Sequence, residues 1–452
     1  MAGHAAGQSV AKLLLRVAES RTRPNAIVSA AGRVYPRPMQ PNPTNNARTY
    51  DIVVFGASGF TGRLVVEYLA DRYPVGAPIR WAVAGRNREK LESVIAGYCT
   101  SGKLPAIIVA DSRDGNALRQ LARETRVVLT TVGPYAKYGS ELVAACATSG
   151  THYCDLAGEP QWIRKMIDKH QSDASSSGAR IVHSCGFDSI PSDIGVFYLQ
   201  REAMAACGEP CEEIVLLVSA IKGGASGGTF ASMLNVLEEA QADRKIAHIL
   251  GDPYCLNPQD ERQGPDGPDQ HGVRYCAAAG AWTAPFVMAA INSRIVRRSN
   301  ALLDYAYGKN FRYSEATSTG SGPGGWCKAA MMTAGLATFI LACSFSVTRS
   351  IIVKRLLPAP GQGPTRQQME NGFFDLRLFG KMKNDEILRV RVIGDRDPGY
   401  GSTRKMLTES ALCLAMDRLE TGGGSWTPAS AMGQALMDRL TANAGLTFEL
   451  MS

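Results

Sequence analysis

The 452-residue sequence contains no Cys-x-x-Cys pair, and its six histidines show no spacing suited to a metal. A structural zinc site is therefore not expected, and the metal expectation is none. Its eleven cysteines are scattered and odd in number, which excludes a closed disulfide framework and favours reduced, buried thiols. Acidic residues are almost missing before Asp51, where Glu19 alone faces Lys12, Arg16, Arg21, Arg23, Arg33, Arg37 and Arg48. Six of the eight net positive charges thus lie in the first fifty positions, and the remaining chain is nearly neutral. Such a body argues against a nucleic-acid partner.

A further absence lies after the second apolar run. Residues 80–84 read as a buried strand ending in Gly85-Arg86-Asn87-Arg88, where an NAD site would place a carboxylate for the ribose 2′-hydroxyl. Arg86 stands there instead, and a guanidinium suits a 2′-phosphate. What precedes it explains why a nucleotide is in question. Gly56-Ala57-Ser58-Gly59-Phe60-Thr61-Gly62 directly follows an apolar run, residues 50–55, and directly precedes an amphipathic stretch, residues 64–70. Strand, glycine turn and helix together form a dinucleotide fingerprint, with the diphosphate on the helix N-terminus. Gly56, Ser58, Gly59, Phe60, Thr61, Gly62 and Arg86 are accordingly candidate contacts for NADP(H).

Apolar runs at 52–55, 81–84, 106–110, 127–131, 153–156 and 180–183 alternate with helical patterns. That alternation predicts an α/β fold, a Rossmann doubly wound parallel sheet, whose ligands bind at the C-terminal strand ends. Asp111 ends the third strand, within reach of an adenine end, although a helix N-cap would look the same. Gly133 and Pro134 end the fourth, where the nicotinamide ribose is approached. Tyr135, His183 and Asp188 are the candidate proton donors. Cys185 reads more readily as a packed thiol than as a nucleophile. The expected boundaries are a basic extension over 1–49, a nucleotide domain over 50–192, a second α/β (α+β) domain over 193–397, and a C-terminal helical part over 398–452 packing back on the fold. The extension, with Pro36, Pro38, Pro41 and Pro43 as a stiff linker, fits a mitochondrial transit peptide and a disordered basic tail about equally well. In the second domain, residues 223–229 form another glycine turn before a helix, a candidate anion site for substrate.

Residues 329–348 hold no charge and are flanked by Lys328 and Arg349. Twenty residues just cover a hydrocarbon core, but the strand patterns that follow argue against a single crossing. Insertion into one leaflet, a docking surface for lipid, and a buried core helix are the alternatives.

Several motifs occur in a fixed order: the glycine turn at 56–62, Ala84-Gly85-Arg86, Val132-Gly133-Pro134-Tyr135, residues 153–159, residues 184–193, Ser226-Gly227-Gly228-Thr229, residues 357–364, Pro398-Gly399-Tyr400-Gly401 and Thr427-Pro428-Ala429. As a set they resemble the saccharopine dehydrogenase-like oxidoreductases, which include mycobacterial trans-acting enoyl reductases. The likeness runs from about residue 50 to the C-terminus. It implies NADP-linked redox chemistry on a lipid or acyl substrate at an intracellular membrane or lipid-droplet surface, and leaves a homodimer open. A saccharopine-type amino-acid dehydrogenase is one alternative, and a non-catalytic lipid-surface protein with a structural nucleotide site is another.

Overall fold

The computed structural model describes residues 48–75, 79–100, 103–224, 227–355 and 363–451. Most of the basic extension, Ser226 and residues 357–362 of the family motifs lie outside these. The first six strands are β1 (Tyr50–Phe55), β2 (Trp81–Gly85), β3 (Ala106–Val109), β4 (Thr125–Thr130), β5 (His152–Cys154) and β6 (Arg180–Val182). Between them run α1 (Phe60–Arg72), α2 (Arg88–Tyr98), α3 (Gly115–Glu124), α4 (Ser140–Ser149) and α5 (Pro160–Ser177). All six strands are parallel, in the order β6-β5-β4-β1-β2-β3. The central strands are apolar on both faces because helices cover both: Ile52, Val53, Val54, Val127, Val128 and Leu129 are fully buried. β3, at the edge, is half-buried to exposed.

The chain continues through α6 (Ile190–Cys207), β7 (Glu213–Lys222), α7 (Gly227–Ala242), α8 (Arg244–Gly251), β8 (Arg274–Cys276), β9 (Ala281–Pro285), α9 (Ala289–Leu302), β10 (Arg312–Gly320), α10 (Gly322–Ser344) and α11 (Ser346–Arg355). It ends with β11 (Phe373–Lys381), β12 (Ile387–Gly394), α12 (Thr403–Met416), β13 (Gly424–Trp426), α13 (Pro428–Arg439) and β14 (Leu446–Met451). The second sheet is ordered β14-β12-β11-β7-β10-β9-β8, and only β7 and β10 pair in parallel. Along β12 buried and half-buried residues alternate, as expected where one face packs on helices.

The C-terminal part serves both sheets. β13 extends the first beyond β6, with Ser425 opposite Ile181, and β14 edges the second. α12 packs on α1, β4 and β5, so a helix from late sequence covers one face of the nucleotide-binding sheet. Its Glu409, fully buried, accepts the Tyr68 hydroxyl at 2.9 Å, the Tyr73 hydroxyl at 2.7 Å and Arg439 Nη1 at 3.2 Å. Glu409→Ala removes an acceptor shared by three donors, of which Tyr68 keeps the Asn443 carbonyl and Arg439 keeps Asp417, and should cost about 2 kcal/mol. A lowered thermal midpoint checks this, and an unchanged midpoint would remove Glu409 as the clamp on α1.

The apolar segment forms most of α10. Only 11 % of its most apolar stretch is buried, which overturns the core-helix alternative. The helix is long and apolar enough to cross a membrane. However, β10 before it and β11 after it both pair with β7, so a single crossing would tear one sheet in two.

Candidate functional site

The glycine turn leaves β1 and enters α1 as the sequence pattern demands. Gly56 has φ of +88°, and a Cβ there would lie 2.5 Å from Val132 Cγ2. Gly62 is tighter, since its Cβ would fall 2.1 Å from the Gly56 carbonyl oxygen, which brings α1 hard against the strand end. α1 has Gly59 at its N-cap, no side-chain cap and no acid in its first turn. Its first N–H groups and dipole are therefore available to an anion. Gly59 and Gly133, at the ends of β1 and β4, are both exposed. Ser58 and Thr61 are half-buried, with Ser58 Oγ beside Gly85.

Phe60 departs from its expected role as a nucleotide contact. Its ring meets Tyr400 edge-on at 5.0 Å and joins Leu64 and Met369 in a small cluster between the two domains, leaving only its backbone for the loop. Arg86 is exposed just beyond β2, with no hydrogen bond or ion pair among the described residues. Asp111 is half-buried and accepts the Arg113 amide at 2.9 Å; the α3 N-cap is Asp114, not Asp111.

The ends of β4, β5 and β6 form the other half of the crevice. Gly133–Pro134 is a cis peptide. Glu159, fully buried, accepts the Tyr135 and Ala136 amides at 2.8 and 2.9 Å and so caps the single turn Tyr135–Tyr138. Tyr135 does not fit a proton donor. It is 4 % exposed, its hydroxyl bonds the Thr130 carbonyl and accepts the Leu156 amide, and burial pushes its ionisation far upward. His183 is also internal, 2 % exposed, with Nδ1 2.7 Å from Asp155 Oδ2. Asp155 further accepts the Tyr153 hydroxyl and the Ala157 and Ser184 amides, so it locks β5 to β6 rather than facing a ligand. Cys185, fully buried with its thiol pushed well up by burial, is the packed thiol expected.

Asp188 differs from both. It sits half-buried in the turn after β6, and no other residue holds its carboxyl among those described. Burial, and then the Asp155 charge, raise that carboxyl to about 7. A carboxyl poised near neutrality on a strand-end turn has the titration that proton transfer requires.

α7, the helix fed by the second glycine turn, lies over this site with its side chains as well as its N-terminus. A Cβ on Gly133 would lie 3.6 Å from Ser232 Oγ on α7. Gln161 Nε2 bonds Glu239 at 3.0 Å, and Thr229 Oγ1 meets the Tyr400 hydroxyl at 3.0 Å. Asp397, accepting the Tyr400 and Gly401 amides, fixes that tyrosine's loop. At its other end α7 touches the apolar pair α10 and α11, through Gln241 to the Ser344 carbonyl at 3.2 Å and Glu238 to Arg349 at 3.4 Å. The second glycine turn leads into this helix; Gly223 and Gly224 pack against Pro398 and Pro364, and Ala225 and Ser226 lie outside the described residues.

Comparison with known proteins agrees with this geometry. The saccharopine dehydrogenase NADP binding domain family matches residues 52–182. A Mycobacterium tuberculosis protein assigned as a trans-acting enoyl reductase is 41 % identical, over 90 % of this chain and 98 % of its own. The trans-acting enoyl reductase of Mycobacterium bovis is 38 % identical over 87 % of this chain and 96 % of its own. The apo saccharopine dehydrogenase (L-Glu forming) of Saccharomyces cerevisiae aligns over 89 % of this chain and 100 % of its own, with a TM-score of 0.49 and 12 % identity.

The uncapped α1 N-terminus and the exposed Arg86, unpaired among the described residues, fit NADP(H). Arg86→Ala should raise the Kd for NADPH at least about tenfold and leave that for NADH within about twofold. Fluorescence titration with both nucleotides reads the difference, and equal losses would move the 2′-phosphate contact elsewhere.

Proposed function

This chain belongs to the saccharopine dehydrogenase-like family of NADP-dependent oxidoreductases, and from that premise we propose that it reduces the double bond of an enoyl acyl substrate at a membrane or lipid surface. The observation that carries the reading is the continuity of α7. One helix roofs the strand ends at Gly133 and Glu159, and its far end rests on the exposed apolar pair α10 and α11. Met331, Leu341 and Phe345 there are 69, 60 and 60 % exposed. Such a surface favours partial insertion between lipid headgroups, with Lys328 and Arg349 at its polar margin. An acyl chain leaving that surface along α7 would bring its reactive carbons to the crevice.

When bound in the crevice, NADPH would be the source of hydride for the β carbon of the substrate. The chain's own residues do the rest. The α1 N-terminus and Arg86 would hold the nucleotide's anionic groups, and Glu159 fixes the turn after Pro134 by accepting the Tyr135 and Ala136 amides. Asp188, protonated near neutral pH, delivers the proton that completes saturation at the α carbon. α7 and the Tyr400 loop stand over the strand ends and would guide the substrate to them.

The test is NADPH oxidation with trans-2-enoyl thioesters of increasing chain length, with and without vesicles containing anionic lipid. Turnover that rises with chain length and with vesicles supports the proposal. Turnover only with 2-aminoadipate semialdehyde plus glutamate would overturn it in favour of an amino-acid dehydrogenase, and no nucleotide binding at all would leave a lipid-surface protein. For location, a reporter fused to residues 1–50 should reach mitochondria if the basic extension is a transit peptide, and a diffuse cytosolic signal would exclude that address.

A further inference from the structure

At the opposite edge of the first sheet, where β4, β5 and β6 begin, lies a cavity of about 410 Å³. Arg48, Arg126, Arg180 and His152 line it, and no carboxylate does among the described residues. β4 alone spans six residues, so roughly 20 Å of strand separates this cavity from Gly133 at the far end.

The guanidiniums are anchored, but mainly by neutral groups. Arg48 Nη1 and Nη2 bond the carbonyls of Ala122 and Ser149, each at 2.6 Å. Arg180 Nε bonds the Thr421 carbonyl at 2.9 Å, and its Nη1 lies 3.3 Å from His152 Nε2. Among the described residues only Arg126 has a counter-ion, Asp51 at 3.3 Å, which Arg80 shares at 3.1 Å. That contact is made by Arg126 Nε, which is buried and meets Asp51 as an ion pair without hydrogen-bond geometry. Helices α4 and α5 also end here, at the left-handed glycines Gly150 and Gly178. Their C-terminal carbonyls oppose an anion, with a combined weight of about one negative charge. Three guanidiniums line the cavity; Asp51, shared with the half-exposed Arg80 outside it, and those helix ends leave between about one and two positive charges uncompensated. The imidazole registers this field: burial, then Arg180, Arg48 and Arg126, push His152 down to about 3, and no carboxylate raises it.

The geometry points to a second anion site, in which Arg48, Arg126 and Arg180 bind a compact polyanion, a diphosphate or a polycarboxylate, apart from the cofactor crevice. Guanidinium forks pair bidentately with either group. Three of them around one cavity call for an occupant carrying at least two charges.

The experiment uses the full chain saturated with NADPH, so that the cofactor's own anion contacts are already occupied. It is titrated with inorganic pyrophosphate and separately with citrate at constant ionic strength, followed by thermal shift and calorimetry. Saturable stabilisation with a submillimolar Kd is expected. A response to pyrophosphate alone names a phosphorylated ligand, and one to citrate alone a polycarboxylate. Ser149→Glu puts a carboxylate at the cavity wall without removing any guanidinium. It should weaken the anion at least about tenfold and leave the NADPH Kd unchanged. Arg126→Gln should do the same, and Ser149→Glu decides the matter if that variant folds poorly. Absence of any saturable response to both anions, or equal affinity in wild type and Ser149→Glu, would overturn the proposal.

Discussion

Asp188→Asn should lower kcat for the enoyl substrate by about 10²- to 10⁴-fold while leaving the NADPH Kd within about twofold. The expectation rests on the position of the carboxyl. It stands on the turn after β6, half-buried and unclaimed by any other described side chain, whereas Tyr135 and His183 are internal and bonded. Its raised affinity for protons, about 7, sets the pH dependence. The protonated acid is the active form, so wild-type kcat should be level below about 7 and fall as pH rises through it. Asparagine neither donates that proton nor titrates, so the alkaline limb should vanish together with the rate. The direction follows from burial and from Asp155, which both disfavour the Asp188 anion. A full kcat–pH profile of both proteins decides the point. Wild-type turnover by the variant, or a limb retained in it, would take Asp188 out of the proton step.

Gly62→Ala is expected to weaken NADPH by about 100-fold or more, equivalent to about 2.7 kcal/mol, and to lower stability as well. The alanine methyl would sit 2.1 Å from the Gly56 carbonyl oxygen and 2.8 Å from Ala57 Cα. Both are backbone atoms, so no side chain can rotate aside. α1 would have to retreat from β1, taking its N-terminal N–H groups off the diphosphate. Its other end is pinned through Tyr68 and Glu409, so the retreat becomes a tilt that opens the loop. Gly59→Ala is the internal control, because its Cβ would meet only the Gly56 oxygen, at 3.2 Å. Equal affinity for NADPH in the Gly62→Ala variant and wild type would show that the loop does not hold the diphosphate.

What the sequence made legible was local. Continuous apolar runs marked β1 to β6 because strands covered on both faces need them, and the glycine turn marked its own geometry. The domain-scale arrangement had no such signal. Nothing near residue 424 announces that β13 will pair with β6, since that register is set across more than two hundred residues. Likewise α12 reads only as a helix; that it covers the nucleotide-binding sheet follows from Glu409 meeting Tyr68 and Tyr73. Tyr135 looked available because its neighbours at the strand end are, yet the turn capped by Glu159 rotates it inward. Phe60 sat inside a binding motif but faces Tyr400 from the far domain. In each case the missing information was a partner distant in sequence.

The strand pairing of β13 and β14 has a consequence for biosynthesis. The nucleotide-binding sheet gains its last strand only when residues 424–426 arrive, and the other sheet waits for residues 446–451. A ribosome delivering this chain therefore completes neither sheet before the C-terminal segment has emerged. Nascent chains should need chaperone shelter until synthesis passes those strands, and an isolated amino-terminal half should express as aggregate rather than as a nucleotide-binding fragment.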